Sequence, residues 1–438
     1  MRALYLLLMS HEEAGKSLDR NSYITILSIQ TVVGRCESLK GFYRGTAMPE
    51  RADVVIVGGG VNGASIAYHL GRRAYGKIIV LEKNDLATGS TAKSAGIVRQ
   101  HYTNPLIIQM AIESRQFFET FQDEVGGHPG FVQNGFLLFV AGPEVDALQM
   151  NVASQRELGL PVEILQPEDV AAYFPGLNME GVALASYEPS SGYADPHGVA
   201  IAFAERARSM GVDFHIGRQA TGVRLQAEKV CGIGTDQGDI ETPVVVNAAG
   251  PWGNRLARSI GVDLPLQVKR LQELFVKPAE SYSKYNPTVI DLDKLIYMKP
   301  DAGGLVMIGG GITEDHSAID PDRYDEQVRF ETVSDITERA ADRMPVLADA
   351  AYVRGVAGVI TVTPDFHPIL GEAPEAKGFI HAMSCNGHGF KLSPIVGRLI
   401  SELIADGQTS LDISPLHPDR FERGETLSSR YAAFPILA

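Results

Sequence analysis

A glycine-rich turn near residue 60 carries the clearest chemical signal in this sequence of 438 residues. Gly58, Gly60 and Gly63 form the pattern G-x-G-x-x-G after a β-branched apolar run, and apolar residues at helical spacing come next. The first glycine permits a tight turn, the second lets the backbone meet a pyrophosphate, and the third lets the helix pack on the strand. A helix beginning at Val61 and Asn62 would offer N–H groups to the phosphates. The spacing predicts a bound dinucleotide; the alternative is a turn that serves packing alone.

An acidic residue ends the next apolar run. Residues 78–81 read Ile-Ile-Val-Leu, and Glu82 and Lys83 come next as candidate cofactor-binding residues. A carboxylate here accepts hydrogen bonds from an adenosine ribose and repels a 2′-phosphate. Two other glycine groups, at 309–311 and 232–234, precede no helical pattern, and we interpret both as turns. A single fingerprint predicts one dinucleotide, bound as a prosthetic group.

These residues require a parallel sheet to position them. The continuous apolar runs at 54–57 and 78–81 are typical of strands that are buried on both faces of such a sheet. Strand, glycine turn, helix and second strand together form one βαβ unit. The sequence therefore predicts an α/β fold with a Rossmann-like, doubly wound dinucleotide-binding domain.

Composition and charge exclude several functional classes. The 39 Lys and Arg against 53 Asp and Glu give a net charge of −14, which disfavours nucleic acid as a partner. No apolar run reaches the roughly 18 residues of a membrane span. The three cysteines include no CxxC pair, so we expect no disulfide scaffold and a cytoplasmic location. The 11 histidines form no cluster at metal-ligand spacing, so we predict no metal.

The start of the chain differs in pattern from the remainder of the sequence. Residues 1–48 show neither helical nor strand periodicity, whereas the strand pattern begins about ten residues before the glycine turn, close to Met48. We predict that residues 1–48 are an extension that is disordered or results from a wrongly assigned start. The alternative is a genuine appended segment.

Further segments occur in a family-like order. Small residues dominate 87–96, residues 247–252 read Asn-Ala-Ala-Gly-Pro-Trp, and residues 386–394 form a last glycine-rich turn. The run Thr-Pro-Asp begins at residue 363, and Ala-Asp-Pro at 194–196 opens a helix predicted over 199–210. Over 53–421 these segments resemble the D-amino-acid oxidase family of FAD enzymes, with the greatest likeness to sarcosine and dimethylglycine oxidases and dehydrogenases.

The resemblance implies a fold and a set of cofactor contacts. The fold is a glutathione-reductase-type FAD domain, in three pieces at 49–100, 190–250 and 350–405, interleaved with a mixed-sheet substrate domain at 101–189 and 251–349. Residues 406–438 would form a C-terminal tail. The implied FAD contacts beyond the first βαβ unit are Ser90, Thr91, Ser94, Ala95, Gly96, Ala248, Gly250, Trp252, Gly387, Gly389, Phe390 and Lys391.

The resemblance also implies a substrate site. Members of the family oxidise an amine by moving a hydride to flavin N5, and the resulting imine hydrolyses. Arg99 and Lys391 occupy the positions whose cations bind the substrate carboxylate. His388 is a candidate for orienting substrate or flavin, and Tyr102, with the neighbouring His101, for lining the pocket.

Departures from the family pattern bear on how the flavin is attached, on the electron acceptor and on the substrate. Gly358 and Lys93 stand where relatives that hold flavin covalently have cysteine or histidine, so we expect non-covalent FAD. The strand at 304–308 lacks the lysine that helps oxygen react, which leaves oxidase against dehydrogenase open. Ile360 replaces a tyrosine in the pocket wall, so sarcosine itself is doubtful as a substrate.

The sequence supports three functional hypotheses. The first is FAD-dependent oxidation of a small carboxylated amine, such as an N-methyl or D-amino acid, with O2 or a redox partner as the electron acceptor. The second is a 2-hydroxy-acid dehydrogenase on the same fold, which would favour a general base. The third is a flavoprotein subunit or assembly factor without turnover of its own. A homo-oligomer or membership of a complex is compatible with each.

Overall fold

The computed structural model describes residues 50–310, 319–383 and 386–431, which form twenty β-strands and eight α-helices. The strands are β1 (Glu50–Arg51), β2 (Val54–Val57), β3 (Ile78–Glu82), β4 (Ile97–Val98), β5 (Phe136–Val140), β6 (Glu163–Leu165), β7 (Leu184–Glu188), β8 (Gly192–Tyr193), β9 (Asp213–Ile216), β10 (Ala220–Gln226), β11 (Lys229–Thr235), β12 (Ile240–Glu241), β13 (Val245–Asn247), β14 (Gln267–Lys277), β15 (Thr288–Asp291), β16 (Ile296–Asp301), β17 (Leu305–Gly310), β18 (Ala351–Val362), β19 (Ile369–Glu372) and β20 (Phe379–Met383). The helices are α1 (Val61–Arg72), α2 (Pro105–Glu124), α3 (Val145–Glu157), α4 (Pro167–Tyr173), α5 (Pro196–Ser209), α6 (Gly253–Arg258), α7 (Phe330–Arg343) and α8 (Gly389–Asp406). The prediction about residues 1–48 lies outside the described residues.

A six-stranded sheet has the order β19-β20-β13-β2-β3-β9. Its strands pair in parallel from β20 to β9, and β19 is antiparallel to β20. Every residue of β2 is buried, as expected for a strand covered on both faces. In register, Val57 lies beside Leu81 on one side and Asn247 on the other. The carboxyl ends of β2, β3 and β13 therefore meet at one edge of the sheet.

Two different layers cover this sheet. Helices α1, α5 and α8 pack on one face and share a buried apolar core with β2 and β3. The other face packs against a four-stranded sheet of order β1-β12-β11-β10 and against α6. The arrangement confirms the predicted α/β class with a Rossmann-like sheet.

An eight-stranded mixed sheet has the order β18-β14-β17-β16-β15-β5-β7-β6. Only the β15–β5 pair is parallel among its described pairings. Helix α7 covers one face through Ile336 and Ala340, which pack with Val306 and Ile308. The opposite face contributes residues of β14, β16 and β18 to a large cavity.

Local chemistry sets the helix ends. The Asp195 carboxylate accepts a hydrogen bond from the His197 N–H (3.0 Å) and Pro196 occupies the first turn, so α5 starts at Pro196, slightly before the predicted residue 199. Helix α8 ends before Gly407, whose φ of +72° favours glycine.

Four sequence predictions differ from these elements. Gly309 and Gly310 lie in β17, and residues 232–234 lie in β11; both pair within sheets and are not turns. Strand β18, inside the predicted cofactor range 350–405, pairs along its whole length with β14 of the eight-stranded sheet. Helix α2, inside the predicted substrate range 101–189, packs against α8. Apolar residues on these elements find their partners in space, which linear order does not reveal.

Candidate active site

A cavity of about 740 Å³ runs from the carboxyl edge of the six-stranded sheet to the start of α8. Most of the residues predicted for cofactor or substrate line it. These are Gly58, Gly60, Val61, Asn62, Glu82, Lys83, Ser90, Thr91, Ser94, Ala95, Gly96, Arg99, Ala248, Gly250, Trp252, Ile360, Gly387, His388, Gly389, Phe390 and Lys391. Five separate stretches of the chain thus meet around one space of the size that small-molecule sites have.

The predicted glycine turn is closely packed. A Cβ on Gly63 would lie 1.9 Å from the Gly58 carbonyl oxygen, and one on Gly58 would lie 2.5 Å from the Ala248 oxygen. Gly58 also has a φ of +110°. Gly60 is the N-cap of α1, and the Thr91 hydroxyl accepts a hydrogen bond from the Val61 N–H at 3.1 Å. Gly63 therefore acts behind the cavity wall, while the helix start faces the cavity as a pyrophosphate cradle requires.

Backbone amides orient the Glu82 carboxylate at the end of β3. One oxygen accepts from the Gly59 N–H and the other from the Asn84 N–H, both at 2.8 Å. Each carboxylate oxygen has a second lone pair for a further donor, such as a ribose hydroxyl. The residues present thus fit a dinucleotide of the FAD type, for which the turn, the helix start and Glu82 would hold the pyrophosphate and ribose.

Lys83 contacts a different set of side chains from that of Glu82. Its ammonium lies 3.9 Å from the centre of the Trp252 ring and forms an ion pair with Asp322 at 2.7 Å. The Trp252 Nε1–H donates to the same carboxylate at 2.7 Å, and Arg255 also pairs with it. Partial burial opposes ionisation of Asp322, but these three donors outweigh it and lower the pKa of the carboxyl. Asp322 was not identified from the sequence, because only the fold brings it to these residues.

The loop after β3 meets the eight-stranded sheet. The Ser90 hydroxyl donates to the Val359 carbonyl at 2.6 Å. A Cβ on Gly358 would lie 2.9 Å from the Lys93 Cβ, so the two positions that carry covalent flavin links in the resembled family face each other here. The Lys93 ammonium forms an ion pair with Glu326 at 3.2 Å.

The last glycine-rich turn is fixed against the end of β18. The Asn386 N–H donates to the Thr361 carbonyl at 2.6 Å, and the Asn386 side-chain oxygen accepts from the Thr363 N–H at 3.0 Å. Asn386 has a φ of +68°, a left-handed conformation that asparagine tolerates. The turn leads directly into α8, whose first residues Gly389 and Phe390 line the cavity.

Two buried cations share the wall next to this turn. Arg99 is 4% exposed, its guanidinium stacks over the Tyr102 ring at 4.1 Å, and it donates to the His101 carbonyl. The Lys391 ammonium donates to the Gly387 carbonyl at 3.3 Å. Burial, and then the positive charge of Arg99, lower the pKa of Lys391 well below its usual range. An anion bound beside both groups would relieve this repulsion.

Tyr102 and His101 do not line the cavity, which corrects the sequence prediction. Tyr102 is fully buried behind the wall, edge-on to His388 with ring centres 5.0 Å apart. His101 turns into the core, where its Nε2 lies 2.6 Å from the Tyr431 hydroxyl. Burial, and then Arg99, lower the pKa of His101 to about 3. Both residues support Arg99 and His388 from behind, because the chain turns inward after Arg99.

A buried carboxylate in the opposite wall was also not identified from the sequence. Glu273 on β14 lines the cavity and accepts a hydrogen bond from the Tyr297 hydroxyl at 3.0 Å. Burial is the main cause that raises the pKa of Glu273 to about 7. The sequence does carry a signal here, since Glu273 directly precedes an apolar run, Leu-Phe-Val, on a long strand.

Two searches of the described residues gave negative results. Across residues 50–310, 319–383 and 386–431, no group of three His, Cys, Asp or Glu side chains is placed to hold a metal ion. None of the described helices combines the length and apolar character that crossing a membrane requires.

Comparisons with known proteins agree with this geometry. Residues 53–403 match the family model described as "DAO: FAD dependent oxidoreductase". Mitochondrial dimethylglycine dehydrogenase of Rattus norvegicus is 27% identical over 86% of this chain and 46% of its own length. Glycine oxidase of Geobacillus kaustophilus is 27% identical over 84% of this chain and 97% of its own length. The crystal structure of L-proline dehydrogenase from P. horikoshii superimposes with a TM-score of 0.79 at 28% identity, covering 87% of this chain and all of that one. The chain spans about half the length of the mammalian dehydrogenases it matches.

Proposed function

Since the chain belongs to the DAO family of FAD-dependent oxidoreductases, we propose that it oxidises a small carboxylated amine, such as an N-methyl or D-amino acid. Bound FAD would supply the electron acceptor for the C–H bond next to the substrate nitrogen. The glycine turn at residues 58–63, Glu82 and the small-residue loop would hold the nucleotide half of FAD. The turn at 386–389 and the start of α8 would place backbone N–H groups near the other half, where negative charge develops.

The observation that carries this proposal is the pair of cations Arg99 and Lys391 beside the start of α8. An arginine fork binds a carboxylate through two hydrogen bonds, and a lysine adds a point charge. Both side chains are buried, so a carboxylate that displaces water there is bound in a medium of low dielectric constant, which strengthens the attraction. The Arg99 guanidinium lies over the Tyr102 ring, and that ring is held edge-on against His388, so this packing restricts the orientation of Arg99.

The FAD of this proposal is not covalently attached. Support comes from Gly358 and Lys93, which face each other and offer neither a thiol nor an imidazole. The Lys93 ammonium instead interacts with Tyr324 (2.5 Å) and Glu326. Acid precipitation of the purified holoenzyme should leave the yellow flavin in the supernatant; flavin retained in the washed pellet would contradict this part of the proposal.

The test of activity is anaerobic mixing of the holoenzyme with a panel of amines and acids while the visible absorbance of the flavin is monitored. Sarcosine, dimethylglycine, glycine and both enantiomers of proline and alanine test the proposal, and lactate tests the alternative of a 2-hydroxy acid. Bleaching by amino acids supports the proposal. Bleaching by lactate alone, or by no compound when ornithine is included in the panel, would refute it.

Arg99→Met is the matched test of the carboxylate site. Hydrogen bonds to charged groups contribute about 1.5–3 kcal/mol, so the Michaelis constant for carboxylated substrates should rise about ten- to a hundredfold. Arg206→Met, an exposed arginine on α5, is the control and should leave it unchanged. An unchanged Michaelis constant in Arg99→Met would exclude Arg99 from substrate binding.

The remaining parts of the proposal concern the surroundings of the enzyme. We propose O2 or a redox protein as the electron acceptor. Stopped-flow measurement of how fast O2 reoxidises the reduced flavin distinguishes the two, since fast reoxidation indicates O2. We also propose a cytoplasmic location, because three cysteines without a disulfide framework suit a reducing compartment.

A further inference from the structure

Three adjacent strands of the eight-stranded sheet form one row across the cavity wall. Gly309 on β17 is the register partner of Glu273 on β14 and of Tyr297 on β16. The strands of Glu273 and Tyr297 are two inter-strand spacings apart, roughly 10 Å. The Tyr297 ring spans this gap and donates its hydroxyl to the Glu273 carboxylate at 3.0 Å.

The missing side chain of Gly309 makes this arrangement possible. A Cβ on Gly309 would lie 2.0 Å from Cζ of Tyr297, so the ring lies directly over the glycine backbone. The contact fixes both the ring and the carboxylate at its tip. The three residues therefore form a built feature of the wall, which we call the Glu273 row.

The carboxylate in this row has no full partner for its charge. Within the described ranges, no cation lies within ion-pair distance of Glu273, although it is only 7% exposed. Lys299, Asp301 and Arg354 act on Glu273 from further away, and Tyr297 is its hydrogen-bonded neighbour. Of these groups, Lys299 is paired with Asp301 at 2.8 Å, and Arg354 stacks on the Phe275 ring at 3.5 Å.

The Glu273 row is separate from the carboxylate-binding cations. The charge that perturbs Lys391 is that of Arg99, and the carboxylate of Glu273 does not perturb it. The last glycine turn is hydrogen-bonded to Thr361 of β18. The register partner of Glu273 on the same strand is Val356, five residues from Thr361. Glu273 therefore lies further along the sheet than the point where the last glycine turn contacts β18, and Glu273, Arg99 and Lys391 all line the same cavity.

We infer that Glu273 is a specificity-determining residue, which binds a second cationic group at the far end of the substrate from its carboxylate. The substrate would then be a diamino or guanidino acid with positive charge on its side chain. This inference rests on the proposed function for the carboxylate end. A cation supplies the missing charge partner for a buried carboxylate, whereas an aliphatic side chain would leave that carboxylate without one.

The first experiment uses ligands that have no oxidisable α-amine. Valerate and δ-aminovalerate share a carboxylate and chain length, and differ in the terminal ammonium. Their binding to the holoenzyme is measured by calorimetry for the wild type, Glu273→Gln and the control Glu280→Gln, an exposed residue after β14. We expect δ-aminovalerate to bind about tenfold or more tightly than valerate in the wild type and control, and equally in Glu273→Gln.

Two outcomes would overturn the inference. One is a wild type that binds δ-aminovalerate no better than valerate. The other is a preference that survives in Glu273→Gln. Tyr297→Phe provides a second variant in case Glu273→Gln folds poorly: it keeps the charge, loses the donor that positions it, and should reduce the preference without abolishing it.

The second experiment separates failure of this inference from failure of the proposed function. Anaerobic flavin reduction is compared for norvaline and ornithine, which differ by the same terminal ammonium, in both enantiomers. Reduction by glycine, sarcosine or norvaline without preference for ornithine would retain the proposed function and overturn the role of Glu273. Tight binding of δ-aminovalerate that requires Glu273, with no amine reducing the flavin, would retain the cation site and overturn the proposed oxidation.

Discussion

At the scale of residues, the candidate site contains three ionisable side chains that are buried, although burial disfavours their charged forms. Arg99 and Lys391 are buried cations of like charge, and Glu273 is a buried carboxylate that forms no ion pair with a cation of the described ranges. Groups of this kind are costly in a folded protein unless a ligand completes them. The titration of Lys391 and of Glu273 therefore reports on the ligand that each of the two binds.

Carboxylate binding should be coupled to proton uptake at Lys391. Burial and Arg99 lower the pKa of the free Lys391 amine, and a bound carboxylate would raise that pKa again. Valerate should therefore bind more tightly as the pH falls through the free-state pKa, with uptake of up to one proton. Calorimetry in buffers of different ionisation enthalpy measures the uptake, with valeramide as the uncharged control. Equal heats in all buffers, or uptake that persists in Lys391→Met, would contradict the prediction.

The Glu273 carboxyl should reduce stability at high pH. Its pKa is raised from 4.5 to about 7 in the fold, so the folded state binds a proton more tightly than the unfolded state does. The free energy of unfolding should fall as the pH rises from 4.5 through 7, by about 3 kcal/mol since one pKa unit is about 1.4 kcal/mol. Glu273→Gln should lack this decrease and be more stable than the wild type above pH 7. Urea unfolding at several pH values measures it, with Glu280→Gln as the control; parallel pH profiles for wild type and Glu273→Gln would disprove it.

At the scale of elements, glycines inside strands and turns determine how close neighbouring groups approach. The turn before α1 needs its glycines for the backbone contact with residue 248. In β17, Gly309 has an equivalent role for a side chain, because it leaves room for the Tyr297 ring. In both elements the glycine has no Cβ, so a neighbouring group can approach the backbone closely and take its place in the site.

Gly309→Ala should displace Tyr297 from Glu273. The added methyl would lie 2.0 Å from the ring, so the ring must move and the hydrogen bond should be lost. We expect a loss of about 1–3 kcal/mol in the free energy of unfolding, as for overpacked cores, and a weaker preference for δ-aminovalerate over valerate. Thermal unfolding and calorimetry measure the two effects. Gly142→Ala is the matched control, since no atom lies within 4 Å of its Cβ position; a Gly309→Ala protein with wild-type stability and preference would be inconsistent with the proposed row.

At the scale of the whole molecule, the cavity depends on contacts between the two large sheets and the segment at 320–326. Four acidic side chains of this segment pair with cations around the cavity: Asp320 and Asp322 with Arg255, Asp322 with Lys83, Asp325 with Arg270, and Glu326 with Lys93. Several of these side chains are half-exposed, so added salt should weaken the attraction within their ion pairs. The segment covers the part of the cavity next to Trp252.

Asp322→Asn should speed the release of FAD. Loss of the ion pairs with Lys83 and Arg255 weakens the segment over the cavity, and exposed pairs contribute about 0.2–1 kcal/mol each, so we expect a few-fold effect. The rate is measured by the recovery of flavin fluorescence on dilution, and the difference from wild type should shrink in high salt. Asp349→Asn is the control, because Asp349 is exposed and lies outside the segment. Equal release rates for wild type and Asp322→Asn would show that the segment does not retain the cofactor.

The sequence determined the parts of the site that lie close together along the chain. The strand, glycine turn and helix at 54–72 are predicted by periodicity and spacing, and Glu82 by its place at the end of the next strand. The positions of Arg99 and Lys391 came from resemblance, and the structure places both in one cavity. Local steric rules and short motifs are sufficient for these residues.

Only the tertiary structure decided which residues complete the wall. Glu273, Tyr297 and Gly309 lie on three strands, and a shift of one residue in any register would turn a side chain to the other face. Asp322 meets Lys83 and Trp252 across long sequence separations, and Tyr102 turns inward although its neighbour Arg99 faces the cavity. Strand order, register and side-chain direction arise from packing among distant segments, and periodicity along one segment carries no information about them.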